Sequence, residues 1–176
     1  MPNKNKQKGK SNERFVANML SEHIGLHFQR VPNSGAFTGG ANVSRLVYLS
    51  ATQVVASRGD IIPPEGYTDC IFEVKSRKEF SFNLLFEDSC KELDSWLEQA
   101  LVDYNAAFPT KNNIKLFVVF KINQRGCFVA SIGQDLKIPI HSSFLTYNYV
   151  KENKKFIVER FDEKFIKEVI KKNVIQ

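Results

Sequence analysis

Two short apolar runs carry charges where ionised side chains are costly. The stretch GDIIPPEGYTDCIFEVKS, residues 59–76, places Asp60 on the first run and the pattern E-x-K, Glu73 and Lys75, on the second. If the second run is a strand, alternation puts Glu73 and Lys75 on one face and Phe72 and Val74 on the other. Ionised side chains are seldom buried without a partner, a metal or a substrate, so this face is either a strand rim in water or a working site. Alone, an E-x-K pattern is most often an exposed ion pair. Two carboxylates a few ångströms apart repel and raise one pKa unless a cation sits between them, and hard oxygen ligands of this kind suit Mg²⁺. Asp60 and Glu73 are the natural pair. A lysine on the same strand face can orient a water and offset charge on a phosphoryl oxygen while a metal acts as Lewis acid. The chemistry these residues could carry is phosphodiester hydrolysis.

The flanking elements must bring them together. Ser11 can cap a helix running to about His23, with Phe15, Val16, Met19 and Leu20 as its apolar stripe and Gly25 as a stop. Glu13 lies on or beside the inward face of that helix. Taken alone, it reads as an acid favoured by the helix dipole. LHFQRV reads as a short strand, and PNSGAFTGGAN as a Gly-rich loop that lets backbone approach a ligand; no GK[ST] follows, so it is not a Walker loop. Residues 43–57 mix helical and extended signals. GDII and YTDCIFEVKS read as a hairpin across the turn PPEG, with Glu73 toward the end of its second strand. Residues 89–107 form the clearest helix, because Leu93, Trp96, Leu97, Ala100, Leu101 and Tyr104 recur at helical spacing. KLFVVFK and CFVASI are two further strands, SFLTYNYVKENKKFIVERF is a pair of extended segments, and Phe165, Ile166, Val169 and Ile170 mark a last helix behind an Asp162 cap. The expected fold class is α/β (α+β), a single domain with a mixed β-sheet flanked by helices.

Composition narrows the setting. The chain has 176 residues, 43% of them hydrophobic and fifteen of them phenylalanine, enough for one core without staples. Its three cysteines are odd in number and widely spaced, which points to a reducing compartment and no zinc site. No apolar run has the length of a membrane span, so no membrane partner and a cytoplasmic location are expected. Of the +6 net charge, Lys4, Lys6, Lys8 and Lys10 supply four units. Residues 1–10 therefore read as a basic flexible arm, suited to a polyanion such as nucleic acid or equally to a solubilising terminus. Residues 11–176 form the domain, with a core of about 11–132 and an extension over 133–176.

In this order, KGKSNERFV, RVPNSGA, GDII and FEVKS resemble the PD-(D/E)XK nuclease superfamily, in particular the Holliday junction resolvase-like nucleases of archaea and phages. SWLEQALVDYNA followed by KLFVVFK is similar to the helix and strand that come next in the phage branch. The resemblance covers roughly residues 8–132 and implies a restriction-endonuclease-like core. It implies Mg²⁺, with Mn²⁺ as a possible substitute, held by Asp60 and Glu73, by the Val74 carbonyl and by Glu13 at a second ion or water. It also implies Lys75 as the catalytic lysine and Ser34 as a loop serine assisting at the junction. Arg30 is expected beside Ser34 on the DNA backbone, and Lys8, Lys10, Arg45, Arg58, Arg77 and Lys78 are further expected DNA contacts. Gln99 matches a glutamine that some relatives hold near the site and reads equally well as a polar residue flanking the core stripe. The implied partners are branched DNA and a second copy in a C2 homodimer, in a phage or its bacterial host cell. Three departures stand out. Gly59 replaces the usual proline before the aspartate, residues 35–59 are longer than in compact archaeal enzymes, and Tyr104 falls five residues after Gln99, so Q-x-x-x-Y is not matched. Intact Asp60, Glu73 and Lys75 favour an enzyme over a binding module of the same fold, and nucleases acting on DNA ends, mismatches or restriction sites are the alternative.

Overall fold

The computed structural model describes residues 4–32, 59–107, 114–132, 136 and 144–172. Helix α1 (Lys4–Ile24) leads into strand β1 (Gln29–Arg30), and β2 (Ile61–Ile62) pairs with β1 in a small antiparallel ladder. Strand β3 (Cys70–Arg77), helix α2 (Lys91–Ala107) and strand β4 (Lys115–Ile122) form a parallel β-α-β unit. Strands β5 (Gly126–Ile132), β6 (Leu145–Tyr149) and β7 (Lys154–Arg160) extend the sheet antiparallel in the order β3-β4-β5-β7-β6. Helix α3 (Glu163–Phe165) closes the described chain and runs on as a π-helix over Ile166–Lys171. The fold is the expected mixed α/β single domain.

Alternation along β3 divides the core. Ile71 joins Leu116, Val118 and Phe120 of β4 beneath Leu93, Trp96, Leu97 and Leu101 of α2. Its neighbour Phe72 joins Phe117, Val119 and Val129 on the opposite face, beneath Val16 and Leu20 of α1 and Phe165 and Ile166 of α3. Every residue of β4 except Lys121 is buried, as a strand covered on both faces requires. Glu73 and Lys75 share the face of Ile71, so α2 overlies them. The segment after residue 132 supports α2: the Tyr147 hydroxyl accepts from the Cys90 N–H at 3.1 Å and donates to Asp94 Oδ1 at 2.7 Å.

Two sequence expectations are corrected. The first helix starts at Lys4 rather than at Ser11, so residues 4–10 are helical and not an arm. Lysine and glutamine are good helix formers, and one glycine costs too little to end the helix. Glu13 consequently lies well inside α1, whose first turn contains no acid. The expected hairpin does not form either. Pro63 and Pro64 lack ladder donors, and the chain turns twice, Tyr67 N–H to the Pro64 carbonyl and Cys70 N–H to the Tyr67 carbonyl, before β3 begins. Glu73 is therefore the fourth of eight strand residues. The expected last helix is present, with the Asp162 carboxylate accepting from the Phe165 N–H.

Candidate active site

Strand β3 is an edge of the sheet, and Asp60 docks onto that free edge. Its N–H donates to the Phe72 carbonyl at 2.8 Å, and its carbonyl accepts from the Val31 N–H at 2.9 Å. Its Oδ2 accepts from the Val74 N–H at 2.8 Å. The N–H and C=O of one strand residue point to the same side, so the Val74 carbonyl shares the edge with the Asp60 carboxylate. This docking depends on Gly59, which has φ +72 and would bring a Cβ within 2.6 Å of the Phe72 carbonyl oxygen. Proline, fixed near φ −65°, cannot take this conformation, which accounts for its replacement here.

Glu73 is 5% exposed, and the Lys75 ammonium lies 2.7 Å from its Oε1. Lys75 Nζ also donates to Gln99 Oε1 of α2 at 2.9 Å. From the opposite helix, Glu13 is held by Arg30, whose Nη1 lies 3.0 Å from Glu13 Oε2 and donates to the Val31 carbonyl. Burial, then the Glu73 charge, lift the Asp60 pKa to about 7; Glu13 adds to the rise, while the Val74 N–H and Lys75 oppose it. The carboxylate is thus short of positive charge. Among the described residues no three His, Cys, Asp or Glu side chains gather as a metal cage. Two carboxylates and a strand carbonyl form the smaller, all-oxygen set that Mg²⁺ accepts while keeping several waters, so the residues present fit a divalent ion.

The fold thus gathers Glu13, Asp60, Glu73, Lys75, Arg30 and Gln99 from five separate stretches of chain. Arg30 is half-buried and engaged with Glu13. Arg77 and Lys78 follow on the exposed end of β3, where Arg77 pairs with Glu92 and stacks 5.7 Å from the Trp96 ring. Lys8 and Lys10 lie on α1. Ser34, Arg45 and Arg58 lie outside the described residues. Sequence reasoning missed Glu92, although it sits one helical step from Trp96 and two from Gln99 on the α2 face over β3. It also missed Asn12, a buried asparagine beside Glu13. Polar residues at inward helical positions are the signal that could have found both.

Among the described residues, no helix is long and apolar enough to cross a membrane. No curated protein and no solved structure matches the chain. Residues 4–175 match one family, a span that includes the extension beyond residue 132 as well as the gathered carboxylates and lysine. This chain belongs to the family described as "Phage putative PDDEXK endonuclease".

Proposed function

We propose that the protein is a Mg²⁺-dependent, structure-selective endonuclease that hydrolyses phosphodiester bonds at branched DNA such as a Holliday junction. The observation that carries the hydrolytic chemistry is the meeting of the Asp60 carboxylate, Glu73 and Lys75 at the free edge of β3. Family membership supports DNA as substrate. The likeness of the RVPNSGA loop and of the motif order to junction-resolving nucleases supports branched DNA.

Asp60 and Glu73, with the Val74 carbonyl and with Glu13 from α1, would hold Mg²⁺, or Mn²⁺ in its place. When bound, the ion supplies Lewis-acid polarisation of the phosphate and a more acidic bound water. Glu73 and Gln99 fix the Lys75 ammonium between them. From there it orients the attacking water and offsets charge as it builds on the phosphoryl oxygens. Arg30 keeps the Glu13 carboxylate aimed at the site, and Ser34 assists at the DNA backbone. A four-way junction needs two cuts related by near two-fold symmetry, so the working form is a C2 homodimer.

The deciding experiment gives the purified protein Mg²⁺ and a four-way junction, a flap, linear duplex and single strand of one sequence, with end labels on every arm. Paired, nearly symmetric nicks in the junction with linear duplex left largely intact are expected, together with a dimer in sedimentation. A monomer that degrades linear duplex as fast as the junction overturns the junction reading and leaves a nuclease of other substrate.

A further inference from the structure

We propose that the seam between α1 and the end of β4 is a phosphate-binding seat, built by Lys8, Asn12 and Lys121, that holds the DNA backbone beside the cutting site. The inference takes its ligand from the nuclease reading above and adds residues that reading does not use.

Residues 8, 12 and 15 follow one another at i, i+4 and i+7, so they form one stripe along α1. Both ends of the stripe touch the same short piece of β4 and its turn. Lys8 Nζ donates to Asn123 Oδ1 at 3.2 Å, and the Lys121 ammonium lies 4.2 Å from the centroid of the Phe15 ring. Asn12 sits between these two contacts. It is 7% exposed, and its Nδ2 is buried without a hydrogen-bond partner. A buried amide donor left unpaired costs about 1–3 kcal/mol, a cost that an incoming acceptor removes. The charged groups bordering this donor, Lys8 and Lys121, are both cations, and an acceptor carrying negative charge fits them best.

The stripe is also next to the chemistry. Asn12 precedes Glu13, and Lys121 pairs in register with Ser76, one residue beyond Lys75. Between residues 4 and 21 Glu13 is the sole acid, and Arg30 neutralises it. Phosphodiester oxygens meet all three demands: they accept hydrogen bonds, carry charge and recur at a fixed step from the scissile group. Lys8 and Lys121 supply charge while Asn12 supplies direction. Such contacts position a duplex without reading its bases.

The test measures binding of a fluorescein-labelled four-way junction and linear duplex to the full chain in chelator, so that cleavage does not intervene, across a range of salt. Lys121→Gln is expected to weaken binding about tenfold and to lower the slope of log K against log salt by ~0.9. Asn12→Ala removes a neutral donor, so it should weaken binding about five- to tenfold with the slope unchanged. Lys155→Gln, exposed at the opposite end of the sheet, serves as the control and should bind like the parent. A melt of each variant accompanies the titration, and if Asn12→Ala unfolds, Lys121→Gln decides alone. Lys121→Gln binding within twofold of the parent at the parent's slope overturns the seat, as does a parent chain that binds no DNA. Failure of the nuclease reading looks different: the parent binds DNA and loses affinity on Lys121→Gln, yet cuts nothing when Mg²⁺ is restored.

Discussion

The backbone N–H of Val74 donates to the carboxylate of Asp60 at 2.8 Å across the free edge of β3. One hydrogen bond thus ties the acid that precedes β2 to the strand that carries Glu73 and Lys75. It stabilises the ionised form of Asp60, but burial and the Glu73 charge outweigh it and leave the pKa at about 7.

Asp60→Asn should therefore raise the stability of the metal-free protein at alkaline pH while abolishing cleavage. The folded pKa lies above the ordinary 3.8, so the folded state binds the proton more tightly than the unfolded chain does. Stability at Asp60 is full below about pH 4 and declines as the pH rises toward 7. Melts at pH 5 and pH 8 without metal should show a larger gain for the variant at pH 8. Added Mg²⁺ should raise the melting temperature of the parent at pH 8 and not that of the variant. A variant that retains a tenth of parental turnover removes Asp60 from the metal pair.

Glu73→Gln should lose activity by about two orders of magnitude or more, at least the scale of losing a group that supports a metal. It also removes the carboxylate beside Lys75, so its Mg²⁺-dependent rise in melting temperature should vanish along with turnover. Unaltered Mg²⁺ stabilisation would assign the ion to other ligands.

Lys75→Ala should cut kcat about 10²–10³-fold with junction affinity changed little, because its proposed action is on transition-state charge. Arginine should not restore the rate, since a planar fork does not reproduce an ammonium held between Glu73 and Gln99. Loss of binding in parallel with turnover would make Lys75 a phosphate contact instead.

Gly59→Ala should destabilise the protein by about 2 kcal/mol or more, from the left-handed backbone alone before the clash is counted. Its Cβ would meet the Phe72 carbonyl oxygen at 2.6 Å, so Asp60 must shift off the edge of β3. Cleavage at a temperature where the variant remains folded should still fall. Parental activity in a folded Gly59→Ala chain would separate the site from this docking.

Glu159 offers a stability effect away from the chemistry. Its Oε1 is buried without a partner, and burial, then Asp162, with a smaller push from Glu168, lift its pKa to about 7 against the opposing charge of Lys164. The sign is that of Asp60: stability is present below the ordinary 4.5 and is lost as the pH rises through 7. Glu159→Gln should melt higher than the parent at pH 8, nearly with it at pH 5, and cleave DNA at the parental rate. Equal shifts at both pH values would contradict the buried charge.

What the sequence by itself determined rests on periods. A two-residue alternation set Glu73 and Lys75 on one face of a strand, and a 3.6-residue stripe set α2, because both repeats are local and survive without knowledge of partners. Motif order likewise marked Asp60 and Glu13 for the same site. Tertiary structure decided the rest. Asp60 reaches β3 through a glycine-dependent dock rather than a hairpin, since prolines after β2 deny it a ladder and β3 has an edge to offer. Gln99 became the partner of Lys75 only once the β-α-β crossover laid α2 over that face. Lys121 meets Phe15 across more than a hundred residues of chain, a contact that no local pattern encodes because it depends on which sheet face α1 covers.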